Sequence, residues 1–291
     1  MTAPEPPAPT APASSGPSQP PGPRRVAGSV LQRMDKGTIR RVVAVGSGKG
    51  GVGKSAATAL LAAELRRRGL AVGVLDADVT GPSQPKLFGL SGPLVDRGEG
   101  IEPARSAGGV PVVSSQFLVE DEQTPVIWRG PLVTRLILQF FGGVNWGPLD
   151  YLLIDMPPGT SDVPLTVFQS VPLDGMVFVF TPPELSAMIV RKAMNMARDL
   201  HVPLLGIVEN MAWVACPHCA TQIRLFGETH ATAVAREYDV PVIAELPVDP
   251  ALARAADEGR VESYTSDAVA RYADAFLASI EAQEQRRLTV L

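Results

Sequence analysis

The clearest chemistry in the chain lies in one glycine-rich run, Gly48-Lys49-Gly50-Gly51-Val52-Gly53-Lys54-Ser55, followed by Ala56 and a helical stretch to Arg68. Glycines at these spacings let the backbone curl until successive N–H groups point inward at phosphate oxygens. The start of the following helix adds partial positive charge. Lys54 is placed to reach β- and γ-phosphates, and the Ser55 hydroxyl to meet magnesium. Residues 48–56 are therefore the expected phosphate cradle. Carboxylates follow in order. Leu75-Asp76-Ala77-Asp78 ends one apolar run, and Tyr151-Leu152-Leu153-Ile154-Asp155 is a second that ends in an acid. Pro157-Pro158-Gly159 and Asp162 come next. Single acids at strand ends often only cap or turn the chain, but their arrival behind a phosphate loop favours a role for Asp78 and Asp155 in phosphoryl transfer.

Cys216-Pro217-His218-Cys219 is the only cysteine pair. Three readings compete. A redox dithiol would use the same spacing, but such motifs sit near the start of a small fold. Half of a zinc site would need two more ligands, for which only His218 and His230 stand nearby. A 4Fe–4S cluster also needs about four thiolates, and a twofold homodimer would supply them from two chains.

These residues need a scaffold to hold them. The chain of 291 residues is 45% hydrophobic and 19% charged, enough apolar material for a substantial core. From Arg41 onward, short apolar runs alternate with longer amphipathic ones. Val42–Val45, Ala71–Leu75, Val110–Ser114, Tyr151–Asp155, Gly175–Phe180, Leu204–Val208 and Val242–Leu246 read as buried strands. Glu184–Leu200 reads as a helix with Leu185, Met188, Ile189, Ala193, Met196 and Leu200 on its apolar face, and Ser266 to about Arg287 as a last helix. The expected fold class is α/β, a single P-loop NTPase domain with a mostly parallel sheet flanked by helices on both faces. Residues 1–36 form an expected disordered tail, since Met1 to Pro23 holds nine of the 28 prolines and almost no large apolar side chain. Residues 37–287 form the expected ATPase domain, carrying the cysteine motif. Trp213 and Phe226 read as packing residues. A net charge of −4 argues against a general nucleic-acid or membrane-surface binder, and no apolar run approaches a bilayer span. Two cysteines suit a reducing compartment, so the expected location is cytoplasmic.

The second lysine of the loop, Lys49, resembles the deviant Walker A motif of the P-loop ATPases that include the MinD, ParA, nitrogenase iron protein and Mrp/ApbC families. The wider match is to the Mrp/ApbC family of iron–sulfur cluster carriers and covers about Gly37 to Arg260. It rests on GSGKGGVGKS (46–55), VLDADVTGPSQPKLFG (74–89), WRGPL (128–132), WGPLDYLLIDMPPGTSD (146–162), GIVENMAWVACPHC (206–219) and LPVDP (246–250). The resemblance implies ATP and Mg2+ at the loop, with Lys49 reaching a partner subunit's nucleotide in trans. It implies that Asp78 positions the attacking water, Asp155 holds the metal's hydration shell, and the Gly159 backbone senses the γ-phosphate. It also implies that Asn210 hydrogen-bonds adenine, with Pro247 and Asp249 lining the base pocket. Cys216 and Cys219 of two subunits would share a 4Fe–4S cluster, delivered to recipient apoproteins by a slowly hydrolysing homodimer. Ala56, Thr80 and Ser161 depart from the family pattern without removing a ligand. The rival expectation is a MinD- or ParA-like positioning protein, which would want a terminal basic amphipathic helix or a basic face; Glu281 and Glu284 beside Arg286 and Arg287 suit neither.

Overall fold

The computed structural model describes residues 34–96, 98, 100–118, 130–160 and 162–290. In chain order its elements are β1 (Ile39–Ser47), α1 (Lys54–Arg67), β2 (Val72–Asp76), α2 (Gln84–Leu87), β3 (Val95–Asp96), β4 (Ile101–Glu102), β5 (Ala104–Arg105), β6 (Pro111–Ser114), α3 (Gly130–Gly142), β7 (Leu149–Asp155), α4 (Asp162–Ser170), β8 (Gly175–Phe180) and α5 (Glu184–Asp199). There follow β9 (Leu204–Glu209), β10 (Val214–Ala215), β11 (Gln222–Ile223), α6 (Ala231–Tyr238), β12 (Val242–Glu245), α7 (Pro250–Asp257) and α8 (Asp267–Val290).

Eight strands form one sheet in the order β12-β9-β8-β1-β7-β2-β6-β5. All pairs are parallel except β5 with β6 at one edge. The seven strands expected from the apolar runs are all present in this sheet. Parallel neighbours need crossovers, and the helices that supply them cover both faces. On one face Ile137 and Phe140 of α3, Phe168 of α4, Val190 of α5 and Val234 of α6 share a core with Val42, Leu75 and Ile154. On the other, Leu61 and Leu65 of α1 meet Tyr272 and Phe276 of α8 over Val43, Val74 and Leu153. The central strands are apolar on both sides because both sides are covered.

Register decides the site. β7 lies between β1 and β2, with Val45 level with Asp155 and Asp155 level with Asp76. The acids at the ends of β2 and β7 therefore stand side by side at the carboxyl edge of the sheet, directly beside the loop that leaves β1. Ligands of open α/β sheets bind at this edge.

One face expected from the sequence holds only in part: Ala193 is buried, and Met196 and Leu200 pack partly buried against the core. In α5 the buried stripe is Ser186, Ala187, Val190, Ala193, Met194 and Ala197, while Leu185 and Met188 are 58% and 46% exposed. The helix lies very close to the phosphate loop. A Cβ on Gly48 would fall 2.6 Å from the backbone of Ile189 and Val190. Phe226, expected to pack, is likewise half exposed. Residues 1–33 of the expected tail, part of the WRGPL match and Ser161 lie outside the described residues. Met34 and Lys36 are tied to the domain, through the Met34 N–H to the Ser170 carbonyl and Lys36 Nζ to Asp174 Oδ2, at 2.9 and 2.5 Å.

Candidate nucleotide site and cysteine hairpin

The loop between β1 and α1 turns through two left-handed glycines, Gly51 and Gly53, with φ of 77° and 78°. Gly53 is the residue before the first helical turn, so Lys54 and Ser55 open α1. A Cβ at Gly53 would sit 2.1 Å from Asn210 Nδ2, and that Nδ2 donates to the Val52 carbonyl at 2.9 Å. Asn210 thus braces the loop from beneath. Ser47 Oγ donates to the Lys49 carbonyl at 2.9 Å, fixing where the loop begins. The Lys49 side chain makes no ion pair or hydrogen bond among the described residues.

Lys54 is buried and donates from Nζ to Asp155 Oδ1, with Asp78 Oδ2 at 3.9 Å and Ser55 Oγ at 3.3 Å. Asp155 is wholly buried. Its other oxygen accepts from Gln84 Nε2 at 2.8 Å, and Thr58 Oγ1 lies 3.4 Å from Oδ1. Asp76 is equally buried and accepts from the backbone N–H groups of Asp78, Ser83 and Gln84 and from Ser114 Oγ. Burial, reinforced by the neighbouring charge of Asp155, pushes the Asp76 carboxyl up to about 7. Burial also raises Asp78, against the pull of Lys54. Three carboxylates and one ammonium thus share a small volume.

This donor set fits a hydrated magnesium ion, which takes hard oxygen ligands and keeps several waters. Ser55 Oγ and the carboxylates of Asp78 and Asp155 are such oxygens. Gln84 Oε1, fully buried, has no partner among the described residues, as expected of a group that completes its bonding only with a ligand.

Gly159 has φ of 85° and lies against Gly48, and its N–H donates to the Ser47 carbonyl at 2.9 Å. It is therefore brought to the loop, with its N–H engaged by protein. Pro247 and Asp249 are brought together elsewhere, on a cavity of about 370 Å³ shared with Trp213, Ala215 and Tyr264. Asn210 does not line this cavity. Both Asp249 oxygens are used, Oδ1 capping α7 through the Ala251 N–H and Oδ2 accepting from the Tyr264 hydroxyl, each at 2.7 Å. Gln84 and Thr58 escaped the sequence reading. Thr58 carried a usable signal, since a residue four positions beyond Lys54 on a helix faces the same way.

The cysteines occupy the tip of a hairpin in which β10 pairs antiparallel with β11. The Cys216 N–H donates to the Thr221 carbonyl, and the Ala220 N–H to the Cys216 carbonyl, both at 2.9 Å. Ala220 takes the left-handed turn, with φ of 56°. This short loop holds Cys216 half-buried and Cys219 exposed. Hydrogen bonds from the side chain and backbone of Thr221, and contact with Cys216, hold the Cys219 thiol below its ordinary range. That favours the thiolate, the form that binds metal. Among the described residues no third His, Cys, Asp or Glu joins the two cysteines in a group that could hold a metal ion.

With this geometry in view, comparison with known proteins is decisive. Residues 38–281 match the family model described as NUBPL iron-transfer P-loop NTPase. The chain belongs to that family. It is 44% identical over 239 residues to an iron-sulfur cluster carrier protein of Clostridium perfringens, covering 79% of this chain and 84% of that one. It is 40% identical over 260 residues to the protein of the same description from Saccharolobus solfataricus, covering 87% and 88%. Among solved structures it is similar to a nucleotide-binding protein from Archaeoglobus fulgidus in complex with ADP. That similarity has 48% identity, a TM-score of 0.71, and coverage of 79% of this chain and 91% of that one. The cell division ATPase MinD of Pyrococcus furiosus shares the fold at 21% identity and a TM-score of 0.58, over 84% of this chain and 99% of that one. The iron-transfer NTPase family and the α/β fold are thus those that the resemblance implied. No helix among the described residues is long and apolar enough to cross a membrane.

Proposed function

We propose that this chain is an ATP-hydrolysing homodimer that holds a 4Fe–4S cluster between the Cys216 and Cys219 thiolates of two copies and passes it to recipient apoproteins. The observation that carries the reading is the hairpin. It presents two sulfurs at the surface, one with a lowered pKa, and a cubane wants about four ligands. A twofold axis beside the hairpin would complete the set. Ile223, Leu225 and Phe226 are exposed just beyond the cysteines in sequence, and Leu185 and Met188 are exposed on α5, whose backbone lies against Gly48 of the phosphate loop. Exposed apolar side chains at both places suit a face covered by a second subunit. A cluster held by two sulfurs per chain is easily surrendered, which suits donation.

Within the nucleotide site, the loop N–H groups and Lys54 would bind the β- and γ-phosphates, drawing Lys54 away from Asp155. Magnesium, held by Ser55 and through water by Asp155, would neutralise phosphate charge. Asp78 would orient the water that bonds to the γ-phosphorus as the bond to the bridging oxygen breaks, releasing ADP and inorganic phosphate. Lys49 of each subunit would stabilise that charge across the interface. Asn210, Pro247 and Asp249 are the proposed adenine-side residues.

The positioning-protein reading finds no support in α8. Tyr272, Ala273, Phe276 and Ile280 spend its apolar side in the core. Its far end is held down by Glu284 to Arg41 and by Arg287 to Asp174. The test is iron and sulfide analysis with size-exclusion chromatography after anaerobic reconstitution. About two irons and two sulfides per chain are expected, rising with dimer content. Cys216→Ser or Cys219→Ser should abolish the cluster and spare ATP binding. A fully loaded monomer, or a colourless dimer holding one zinc per pair of chains, would overturn the carrier reading.

A further inference from the structure

Gln84 is the most deeply committed residue of the nucleotide site without an assigned role. It follows Ser83 at the start of α2, and its side chain is fully buried beneath the phosphate loop. Its amide nitrogen is spent twice, on the Ser55 carbonyl at 3.1 Å and on Asp155 Oδ2 at 2.8 Å. Both of those atoms are acceptors. The orientation of the amide is thereby fixed, because turning it over would set an oxygen against a carbonyl and a carboxylate. Oε1, the other end of the same amide, meets no donor among the described residues.

The placement of Gln84 is itself enforced. Its backbone N–H and that of Ser83 both donate to Asp76 Oδ2, at 3.2 and 3.0 Å. The same carboxylate is held by Ser114 Oγ from β6. Asp76 thus pins the start of α2 against the end of β2, and Gln84 projects from that pin into the gap between Ser55 and Asp155. These are the two residues between which a nucleotide-bound magnesium would sit. Magnesium keeps several waters, and nearby oxygens that are not direct ligands can accept hydrogen bonds from them.

We propose that Gln84 is a positioning residue for the divalent cation. Its amide nitrogen holds Asp155 and the first turn of α1 in place, and its Oε1 accepts a hydrogen bond from a water in the cation's hydration shell. The inference rests on the P-loop nucleotide site. It deepens that reading by naming the residue that couples the loop after β2 to the cation. Binding Mg–nucleotide would give Gln84 Oε1 a hydrogen-bond donor, so the cation and the 76–84 segment would stabilise each other.

The experiment separates nucleotide affinity from cation affinity. A fluorescent ADP analogue is titrated with EDTA present and then with increasing Mg2+, and bound Mn2+ is followed by electron paramagnetic resonance. Gln84→Leu should leave metal-free nucleotide affinity within about threefold of wild type. It should weaken Mg2+ and Mn2+ binding to the complex by about 10-fold or more, the usual effect of removing a partner that orients a metal's ligands. The wild-type Mn2+ spectrum should differ from the variant's. Gln84→Met, which keeps the volume, replaces the leucine variant if that one does not fold. A folded variant whose cation dependence equals that of wild type overturns the proposal. Failure of the wild type to bind nucleotide at all would instead overturn the nucleotide site on which it rests.

Discussion

Lys54 and Asp155 are in direct contact: the ammonium donates to Oδ1 of a carboxylate that no solvent reaches. The lysine that should serve phosphates is thus parked on the acid that should serve magnesium. Each group neutralises the other, and on the proposed reading each would be released for its own partner when Mg–nucleotide binds. Such an exchange would make both residues structural and functional at once.

Lys54→Ala should therefore fail in two ways. It strands Asp155 in the interior without its cation, at a cost of about 3 kcal/mol of stability. It also removes the phosphate contact, so that turnover falls about 100-fold or more. Lys49→Ala should keep both stability and nucleotide affinity while slowing turnover. Urea unfolding, nucleotide titration and phosphate release measure the three effects. Equal loss of nucleotide binding in both variants would refute the trans-acting role of Lys49.

Asp78→Ala should bind Mg–ATP within about threefold of wild type and hydrolyse it at least about 100-fold more slowly, the scale of a lost water-orienting group. Asp78 lies 3.9 Å from Lys54 and accepts from Thr80 Oγ1 at 3.0 Å, so it is held at the site without carrying the loop. Single-turnover phosphate release after nucleotide loading provides the check. A wild-type rate would make Asp78 a turn former only.

Asp76 sets a pH dependence whose sign can be worked out. Its folded carboxyl is pushed from 3.8 to about 7 by burial and by Asp155. Between about pH 4 and pH 7 the folded chain therefore keeps a proton that the unfolded chain has lost. The stability of the ligand-free protein should fall as pH rises through that window, by up to about 1.4 kcal/mol per unit. Asp76→Asn should lower stability overall by removing one carboxylate oxygen that accepts from backbone N–H groups, yet flatten this slope. Urea unfolding at pH 5 and pH 8 measures it, and an unchanged slope in the variant would assign the titration elsewhere.

Gly53→Ala should cost about 1–3 kcal/mol and abolish nucleotide binding, because the residue is left-handed and its new Cβ would strike Asn210. Adding Asn210→Ala should recover the steric part and leave the backbone part. The two changes would then be non-additive in a double-mutant cycle followed by thermal unfolding. Simple additivity would show that Asn210 does not brace the loop.

Much of this was legible in the chain because local rules carried it. The seven strands follow from apolar runs long enough to be buried on both faces, and the phosphate loop from glycine spacing before a helix. Asp155 could be anticipated because an apolar strand ending in an acid points that acid out of the sheet edge. The buried stripe of α5 could not. Hydrophobic period favoured Leu185 and Met188, but the helix turns the stripe through Ser186, Ala187, Val190 and Met194 inward, with its backbone close against Gly48, a segment far away in sequence. The hairpin around Cys216 and Cys219 was equally hidden, since strands of two residues carry too little pattern to be read.

By itself, then, the sequence determined the alternation of strand and helix, the phosphate loop and the thiol pair, each written in contiguous residues and governed by local sterics and hydrophobic period. Only the tertiary structure decided that β7 lies between β1 and β2. From that order follow the pairing of Lys54 with Asp155, the raised carboxyl of Asp76, and the seating of Gln84 between Ser55 and Asp155. These contacts join residues from 29 to 101 positions apart. Their energy depends on burial and on which strand neighbours which, and neither quantity exists until the chain has folded.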